Sequence, residues 1–252
     1  MADDVGSLPN DPMAMPPPYW RTGGAVFHVL RSLQHLVDHL DELIPLNLET
    51  EERLDEYLSR SPEPEDDDPE FGEICSDLWD LEHEVKLDTD IAVFMAAISS
   101  EDELNRFCVY NMHRDIAEPL EKLSPPEKLQ VASAIVGHPG VKGQHSFAAI
   151  QRLTTWRNAF AHGHCVDRPT KSLRHNHLIS PSDYPGVPDS IAACIKYVRG
   201  YLVLSRYMRS ISKNPYTGGG SEEDKEIEAQ LRLLERYKFE GTPSVYTIIF
   251  EG

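Results

Sequence analysis

Three polar side chains that could act together on an anion lie within one short segment of the 252-residue chain: Arg157, Asn158 and His162. Their spacing fits the last turns of a helix predicted over 146–162, which Gly163 would end because glycine readily adopts positive φ. At 100° per residue, Arg157 falls within the apolar stripe of this helix, whereas Asn158 and His162 share the neighbouring flank. A guanidinium on an apolar face needs an anion, so Arg157 either pairs with an acidic residue of another helix or binds an anionic ligand.

The charge of the chain is distributed unevenly. The formal net charge is −18, from 24 Lys+Arg and 42 Asp+Glu, and that balance alone argues against a general nucleic-acid binder. Residues 128–221, however, contain twelve basic and three acidic residues, a net +9, and the other 12 basic and 39 acidic residues give −27. Six of the eleven histidines also fall in this basic stretch. Such asymmetry indicates a polyanion site or self-association between regions of unlike charge, although it could also reflect only the solvated faces of helices.

The run Trp156-Arg157-Asn158-Ala159-Phe160-Ala161-His162-Gly163 resembles the signature of the HEPN superfamily, R-x(4–6)-H with a polar residue directly after the arginine. Its context distinguishes it from other Arg/His pairs of similar spacing in the chain. The arginine lies on an apolar helix face, and the helix ends at a glycine. A further long helix is predicted to follow, as in HEPN domains. The resemblance covers about residues 72–214.

This resemblance implies an antiparallel helical bundle that forms a homodimer and acts as a metal-independent endoribonuclease, without a cofactor. Two copies of the motif would meet at the dimer cleft as one composite active site. His162 would act on the proton of the RNA 2′-hydroxyl or of the leaving oxygen, and Arg157 would stabilise the transition-state phosphate. Asn158 would position His162 or the phosphate. The product would carry a 2′,3′-cyclic phosphate. The basic stretch would bind the RNA backbone through Lys142, Arg152, His164, Arg168, Lys171 and Arg174. By family analogy, the role is that of a toxin or an antiviral-defence effector.

His164 marks one departure from the family. HEPN toxins that are paired with nucleotidyltransferase antitoxins carry a tyrosine at the matching position, and that tyrosine is adenylylated. We therefore expect a different antitoxin or regulatory partner, or a regulatory segment of the chain itself, such as the acidic run 63–73. Two alternatives remain open: a non-catalytic HEPN-type module that binds a nucleotide or a protein partner, and a zinc site in the loop, although the ligand spacing is unusual. The candidate zinc ligands are His162, His164, Cys165, His175 and His177.

Apolar residues at spacings of three and four predict an all-α fold. We predict an arm with an amphipathic helix over 1–60, an acidic linker over 61–73, the HEPN-like domain over 74–213, and a linker, surface helix and short strand over 214–252. Within these segments, four local features are predicted. Helix 24–44 ends near Pro45, Thr50 caps a short helix, Ser99 or Ser100 caps another with Glu103 in a capping box, and helix 222–237 precedes a lone strand over 244–250.

Neither an export signal nor a membrane span is predicted. The N-terminal residues lack the basic and apolar regions of a signal peptide, and the most apolar segment, 191–211, carries four cations. The four cysteines are widely spaced and form no C-x-x-C pair, which is typical of reduced thiols. These features predict a soluble cytoplasmic protein.

Overall fold

The computed structural model describes residues 25–63, 68–161, 187–213, 221–242 and 245–251. Within these ranges the fold is all-α, as predicted, with one small β-hairpin. In chain order the elements are α1 (Ala25–Arg60), α2 (Pro69–Asn111), α3 (Arg114–Leu120), α4 (Pro125–Ile135), a 3-10 turn (Val141–Gly143), α5 (His145–Ala161), α6 (Val187–Ile211), α7 (Ser221–Leu234), β1 (Tyr237–Thr242) and β2 (Val245–Phe250). None of these described helices combines the length and the apolarity needed to cross a membrane.

The chain forms two compact units, and the first contains the candidate phosphate-binding motif. Its described residues are 25–29, 93–161, 197–213 and 221–224. Buried apolar side chains from α2 to α6 form its core, among them Phe107, Leu129, Ile150, Leu204 and Met208. Ser124 and Glu127 form a capping box at the start of α4, and Pro125 occupies a favoured first-turn position. Gly137 and Gly140, each with a φ of 96°, turn the chain between α4 and α5.

The second compact unit has as its described residues 30–63, 68–92, 187–196, 225–242 and 245–251. Leu33, Leu36 and Leu40 recur at helical spacing along α1 and are fully buried. A smaller apolar cluster brings the end of α1 and the start of α2 together through Leu54, Tyr57, Ile74 and Leu78. Helix α2 begins at Pro69, within the predicted acidic linker 61–73, so five residues of that segment are helical.

The predicted break of the first helix at Pro45 is wrong. Helix α1 runs from Ala25 to Arg60 with Pro45 inside it. Proline deprives the carbonyl of Asp41 of its helical donor, which costs about 3 kcal/mol. Burying a single large apolar side chain contributes about 1.5–3 kcal/mol, and α1 buries several on both sides: Leu36, Leu40, Leu43, Leu54 and Tyr57. Thr50, predicted as an N-cap, instead donates from its hydroxyl to the carbonyl of Leu46, at 2.9 Å.

The predicted helix start at Ser99 or Ser100 is also wrong, because α2 continues through both residues. Ser100 donates its hydroxyl to the carbonyl of Ala96, at 2.8 Å, which satisfies the side chain without a helix end. Glu103 does not form a capping box, since its carboxylate accepts from the hydroxyl of Tyr201, at 2.7 Å. The residue types of Ser99, Ser100 and Glu103 are common at helix starts, but all three residues are buried inside one long helix.

The predicted lone strand is one half of a hairpin. β2 pairs antiparallel with β1, with Tyr237 opposite Phe250 and Thr242 opposite Val245. Tyr237, predicted as the end of a helix, begins β1, and α7 ends earlier, at Leu234. The ring of Tyr237 packs on Phe250, and its hydroxyl donates to the carboxylate of Asp41 in α1, at 2.6 Å. The strand therefore finds its partner within its own chain.

Candidate functional site

Helix α5 places four of the predicted site residues in or next to the same short element. Arg152, Arg157 and Asn158 lie in α5, and Lys142 lies in the 3-10 turn that precedes it. The other predicted site residues lie outside the described residues: His162, His164, Arg168, Lys171 and Arg174. Their predicted roles therefore stay predictions, as does the zinc site in the same loop.

The side chain of Arg157 is held against α2. Phe147, Ile150 and Leu153 bury one face of α5, and the same face brings the guanidinium to Glu101 of α2. There Nη1 of Arg157 donates to Oε2 of Glu101, and the two side chains keep 26% and 34% of their exposure. Of the two possibilities that the sequence left open, the described structure contains the ion pair with an acidic residue of another helix.

Asn158 holds the other side of the same guanidinium. Its Oδ1 accepts from Nε of Arg157, at 3.4 Å, and from Nη2, at 3.2 Å. The Asn158 side chain is itself exposed. Contacts on three nitrogens fix the plane of the guanidinium, and an arginine with a fixed plane presents a fork of N–H groups that matches a phosphate or a carboxylate.

A buried lysine that was not predicted from the sequence lies close to this pair. Lys128 of α4 is only 1% exposed, and its Nζ donates to Oδ1 of Asn105, at 2.5 Å. Burial lowers the pKa of Lys128, and the negative charge of Glu101 opposes that effect. Asn105 follows Glu101 by one turn of α2, so one face of that helix serves both cations. The only sequence signal for this was the Glu101/Asn105 spacing, which does not identify a partner.

Together these side chains form what we call the polar cluster, which comprises Glu101, Asn105, Lys128, Arg157 and Asn158. It contains two basic groups and one acidic group, so it carries an excess positive charge whenever Lys128 is protonated. A partly buried excess of positive charge favours the binding of an anion. The polar cluster can therefore bind a phosphate if the Glu101 carboxylate moves aside or shares Arg157.

Aromatic side chains lie beside Arg157 on the same helix end. Trp156 is buried and stacks on Phe160, with ring centroids 5.0 Å apart, and Phe94 of α2 packs on Phe160 at 5.4 Å. Phe160 keeps 42% of its exposure. An exposed ring supported from behind is the kind of surface on which nucleic-acid bases stack. Arg152 and Lys142 are exposed in the same unit, as phosphate-contacting residues must be.

A second network of polar side chains in this unit is buried. Glu103 accepts from Tyr201, and burial raises the pKa of Glu103 above its ordinary value. Asp224, at the start of α7, accepts from the guanidinium groups of Arg206 and Arg209. Glu103 and Asp224 are both buried. These buried groups join α2, α6 and α7 through polar contacts.

In the second unit, two histidines and two carboxylates meet between α1 and α2. Nδ1 of His39 lies 2.6 Å from Oδ2 of Asp88, and Nε2 of His39 lies 3.3 Å from Oε2 of Glu84. Nε2 of His35 lies 3.7 Å from Oδ1 of Asp88. The sequence analysis did not single out these residues, although His35/His39 and Glu84/Asp88 each have the i, i+4 spacing that places two side chains on one helix face.

The described cysteines offer no activated nucleophile in the protein interior. Cys75, Cys108 and Cys194 are free thiols. Burial raises the pKa of both Cys108 and Cys194 to about 12, so both stay protonated at neutral pH. Cys165 lies outside the described residues.

Comparisons with protein-family models, with curated proteins and with solved structures give no significant match to this chain. The HEPN assignment therefore stays a prediction from the motif.

Proposed function

We propose that the protein is a metal-independent endoribonuclease of HEPN type, with a composite active site at a homodimer cleft. The observation that carries this proposal is the fixed Arg157–Asn158 pair at the end of α5, within a cluster of excess positive charge. Phosphodiester cleavage needs such a group, because negative charge accumulates on the phosphate oxygens in the transition state.

His162, Arg157 and Asn158 have different roles in the proposed reaction. The 2′-oxygen of the RNA attacks the adjacent phosphorus, and one His162 accepts the 2′-hydroxyl proton. The bond to the 5′-oxygen breaks, and the His162 of the second copy donates a proton to that oxygen. The products are a 2′,3′-cyclic phosphate and a 5′-hydroxyl. Arg157 stabilises the charge on the non-bridging oxygens, and Asn158 keeps the guanidinium in its plane.

Phe160 extends this proposal to the recognition of a base. Its partly exposed ring lies on the same last turns of α5 as Arg157. A base next to the cleaved phosphate stacks on this ring, and such stacking is tolerant of sequence. Lys142, Arg152 and the basic residues of 164–174 bind the flanking phosphates, which makes RNA binding weaken with increasing salt.

A second candidate function is a non-catalytic module that binds a nucleotide or a protein partner. The observation that favours it is the ion pair between Arg157 and Glu101, which satisfies the guanidinium without any ligand. In that case Arg157 holds α5 on α2, and the same surface binds a partner without chemistry.

Cleavage of RNA in EDTA separates the two functions. We expect the wild-type chain to cleave single-stranded RNA, and we expect Arg157→Ala and His162→Ala to lose at least about 100-fold in rate, as loss of one transition-state donor does elsewhere. Arg114→Ala is the matched control, because Arg114 is an exposed arginine of α3 paired with Glu118, and it should cleave like wild type. An inactive wild type on all RNA tested would favour the binding module. Equal activity of the variants and wild type would refute the site.

We further propose that the protein acts as a toxin or an antiviral-defence effector under the control of an antitoxin or regulatory partner. The test is expression of the wild-type chain and of His162→Ala in a bacterial host. Growth arrest with the wild type alone, at matched protein levels and with RNA fragments that end in a cyclic phosphate, supports the role. Equal growth with both chains argues against it. A mass measurement of the purified chain tests the homodimer.

A further inference from the structure

We propose that His35, His39 and Asp88 form a binding site for a divalent transition-metal ion of the zinc class. One ligand atom from each of these residues lies within 4.8 Å of the other two. The site belongs to the second compact unit and is independent of the ribonuclease proposal, since it takes no part in the motif chemistry.

Helix geometry places the ligands. His35 and His39 are four residues apart on α1, so both imidazoles project from one face, and their rings stack with centroids 5.7 Å apart. Two histidines at i, i+4 on one helix are a well-known zinc-chelating arrangement. Asp88 of α2 supplies the third ligand, and it lies 49 residues from His39 in sequence.

The distances come close to those of a tetrahedral site. Metal–ligand bonds of about 2.0–2.1 Å place neighbouring tetrahedral ligands about 3.3 Å apart. Nε2 of His35 lies 3.7 Å from Oδ1 of Asp88, whereas Nδ1 of His39 lies 2.6 Å, a hydrogen-bond distance, from Oδ2 of the same carboxylate. The ion replaces the hydrogen of that bond, and the two atoms separate by about 0.7 Å to accept it.

Glu84 is the positioning residue. Its carboxylate lies 3.3 Å from Nε2 of His39, while Nδ1 of the same ring faces Asp88. A carboxylate on the far nitrogen fixes the orientation and the tautomer of the ring, as in carboxylate–histidine–zinc sites. Glu84 therefore orients His39 and is not itself required as a ligand.

Exposure and ligand chemistry indicate which ions bind. The side chains of Asp88, His39 and His35 are 9%, 22% and 69% exposed, so the site opens to solvent at His35. This leaves room for water or another small ligand at a fourth position. Imidazole nitrogens favour Zn²⁺, Co²⁺ and Ni²⁺, whereas Mg²⁺ and Ca²⁺ prefer oxygen ligands. A bound ion would tie α1 to α2 within this unit.

Titration of the chelator-treated full chain with Zn²⁺, in a large excess of Mg²⁺ to occupy surface carboxylates, tests the proposal by calorimetry. We expect the wild-type chain to bind one equivalent of zinc. Asp88→Asn and His39→Ala should lower the affinity for this ion by at least about 100-fold, and Glu84→Gln should lower it about 10-fold. Co²⁺ in place of Zn²⁺ should give a visible absorption spectrum that requires His35. His138→Ala removes an exposed histidine of the first unit and should bind like wild type.

A fifth variant, His164→Ala/Cys165→Ala, separates this site from the alternative site in the loop. The equivalent assigned to His35, His39 and Asp88 should persist in it, and circular dichroism checks that every variant is folded. Absence of saturable Zn²⁺ binding by the wild-type chain overturns the proposal. Unchanged binding in Asp88→Asn overturns it as well, as does loss of the only equivalent in His164→Ala/Cys165→Ala.

Discussion

Neutralising Glu101 should release Arg157 and thereby distinguish a role of this arginine in RNA binding from a purely structural role. The two side chains keep 34% and 26% of their exposure, so their pair lies between exposed pairs, worth about 0.2–1 kcal/mol, and buried pairs, whose disruption costs about 3–5 kcal/mol. We take about 1.5 kcal/mol, since glutamine keeps one acceptor oxygen for the guanidinium. Glu101→Gln should therefore lower the midpoint of thermal unfolding by roughly 3–6 °C.

The free energy that Glu101→Gln removes from the stability of the fold should be gained in the binding of RNA. A pair worth about 1.5 kcal/mol leaves Arg157 released in roughly one molecule in ten, and the apparent affinity of a ligand that needs the released state falls by that fraction. Removing the competing carboxylate should then tighten the binding of RNA about tenfold. Loss of stability and gain of binding in one variant are difficult to obtain from a purely structural residue.

Fluorescence anisotropy with a 2′-O-methyl RNA, which cannot be cleaved, measures the affinity at one fixed salt concentration, because phosphate binding depends strongly on salt. Glu118→Gln is the matched control, since Glu118 pairs with Arg114 on the exposed face of α3, and it should leave RNA binding unchanged. In an Arg157→Ala background, Glu101→Gln should give no gain. A gain that persists without Arg157, or weaker RNA binding by Glu101→Gln alone, would refute the competition between Glu101 and phosphate.

Four further predictions concern side chains of the first unit. Burial raises the pKa of Glu103 in the folded state, so its charged carboxylate lowers the free energy of unfolding above pH 4.5. Glu103→Gln should therefore raise the free energy of unfolding in urea by about 1–3 kcal/mol at pH 7, and this gain should vanish at lower pH. Glu127→Gln should lower stability at pH 7, and this loss should shrink as the pH falls, because hydrogen bonds from Ser124 lower the pKa of Glu127. Asp224→Asn should cost about 2–3 kcal/mol in the same assay by removing the buried carboxylate that accepts from two arginines of α6, whereas exposed Glu226→Gln should cost almost nothing. Phe160→Ala should weaken RNA binding by about 1–3 kcal/mol without changing its salt slope; a changed slope would mean that phosphate contacts were lost instead.

Apolar periodicity predicted the all-α class and the approximate position of most helices, but it misplaced several ends. Pro45 and Ser100 are local signals for a helix boundary, and each acts within a few residues. Burial along the whole of α1 and α2 outweighs them, and burial depends on the partner helices, which no single segment specifies. Lys128 shows the same limit, because nothing in its own sequence neighbourhood distinguishes a buried lysine from an exposed one.

The candidate site was predictable in part. The position of Arg157 on the apolar face of α5 indicated that its guanidinium needs an anion, and the structure supplies Glu101, which lies 56 residues away in sequence. That partner could not be named beforehand, because pairing between helices depends on their packing. The i, i+4 spacing of His35 and His39 was visible in the sequence. It indicates a metal site only because α1 packs against α2, which places Asp88 beside both histidines.

The ion pair of Arg157 does not exclude a catalytic role, because the two interactions differ in strength. Releasing Arg157 from Glu101 costs about 1.5 kcal/mol by the estimate above, whereas one transition-state donor contributes about 2.7–4 kcal/mol. A ground-state phosphate gains little by displacing the carboxylate, since it merely exchanges one anion for another. The transition state carries more charge on the same oxygens, so its gain exceeds the cost of releasing Arg157, and that cost weakens the binding of substrate and transition state alike. Glu101→Gln should therefore lower KM about tenfold with little change in kcat.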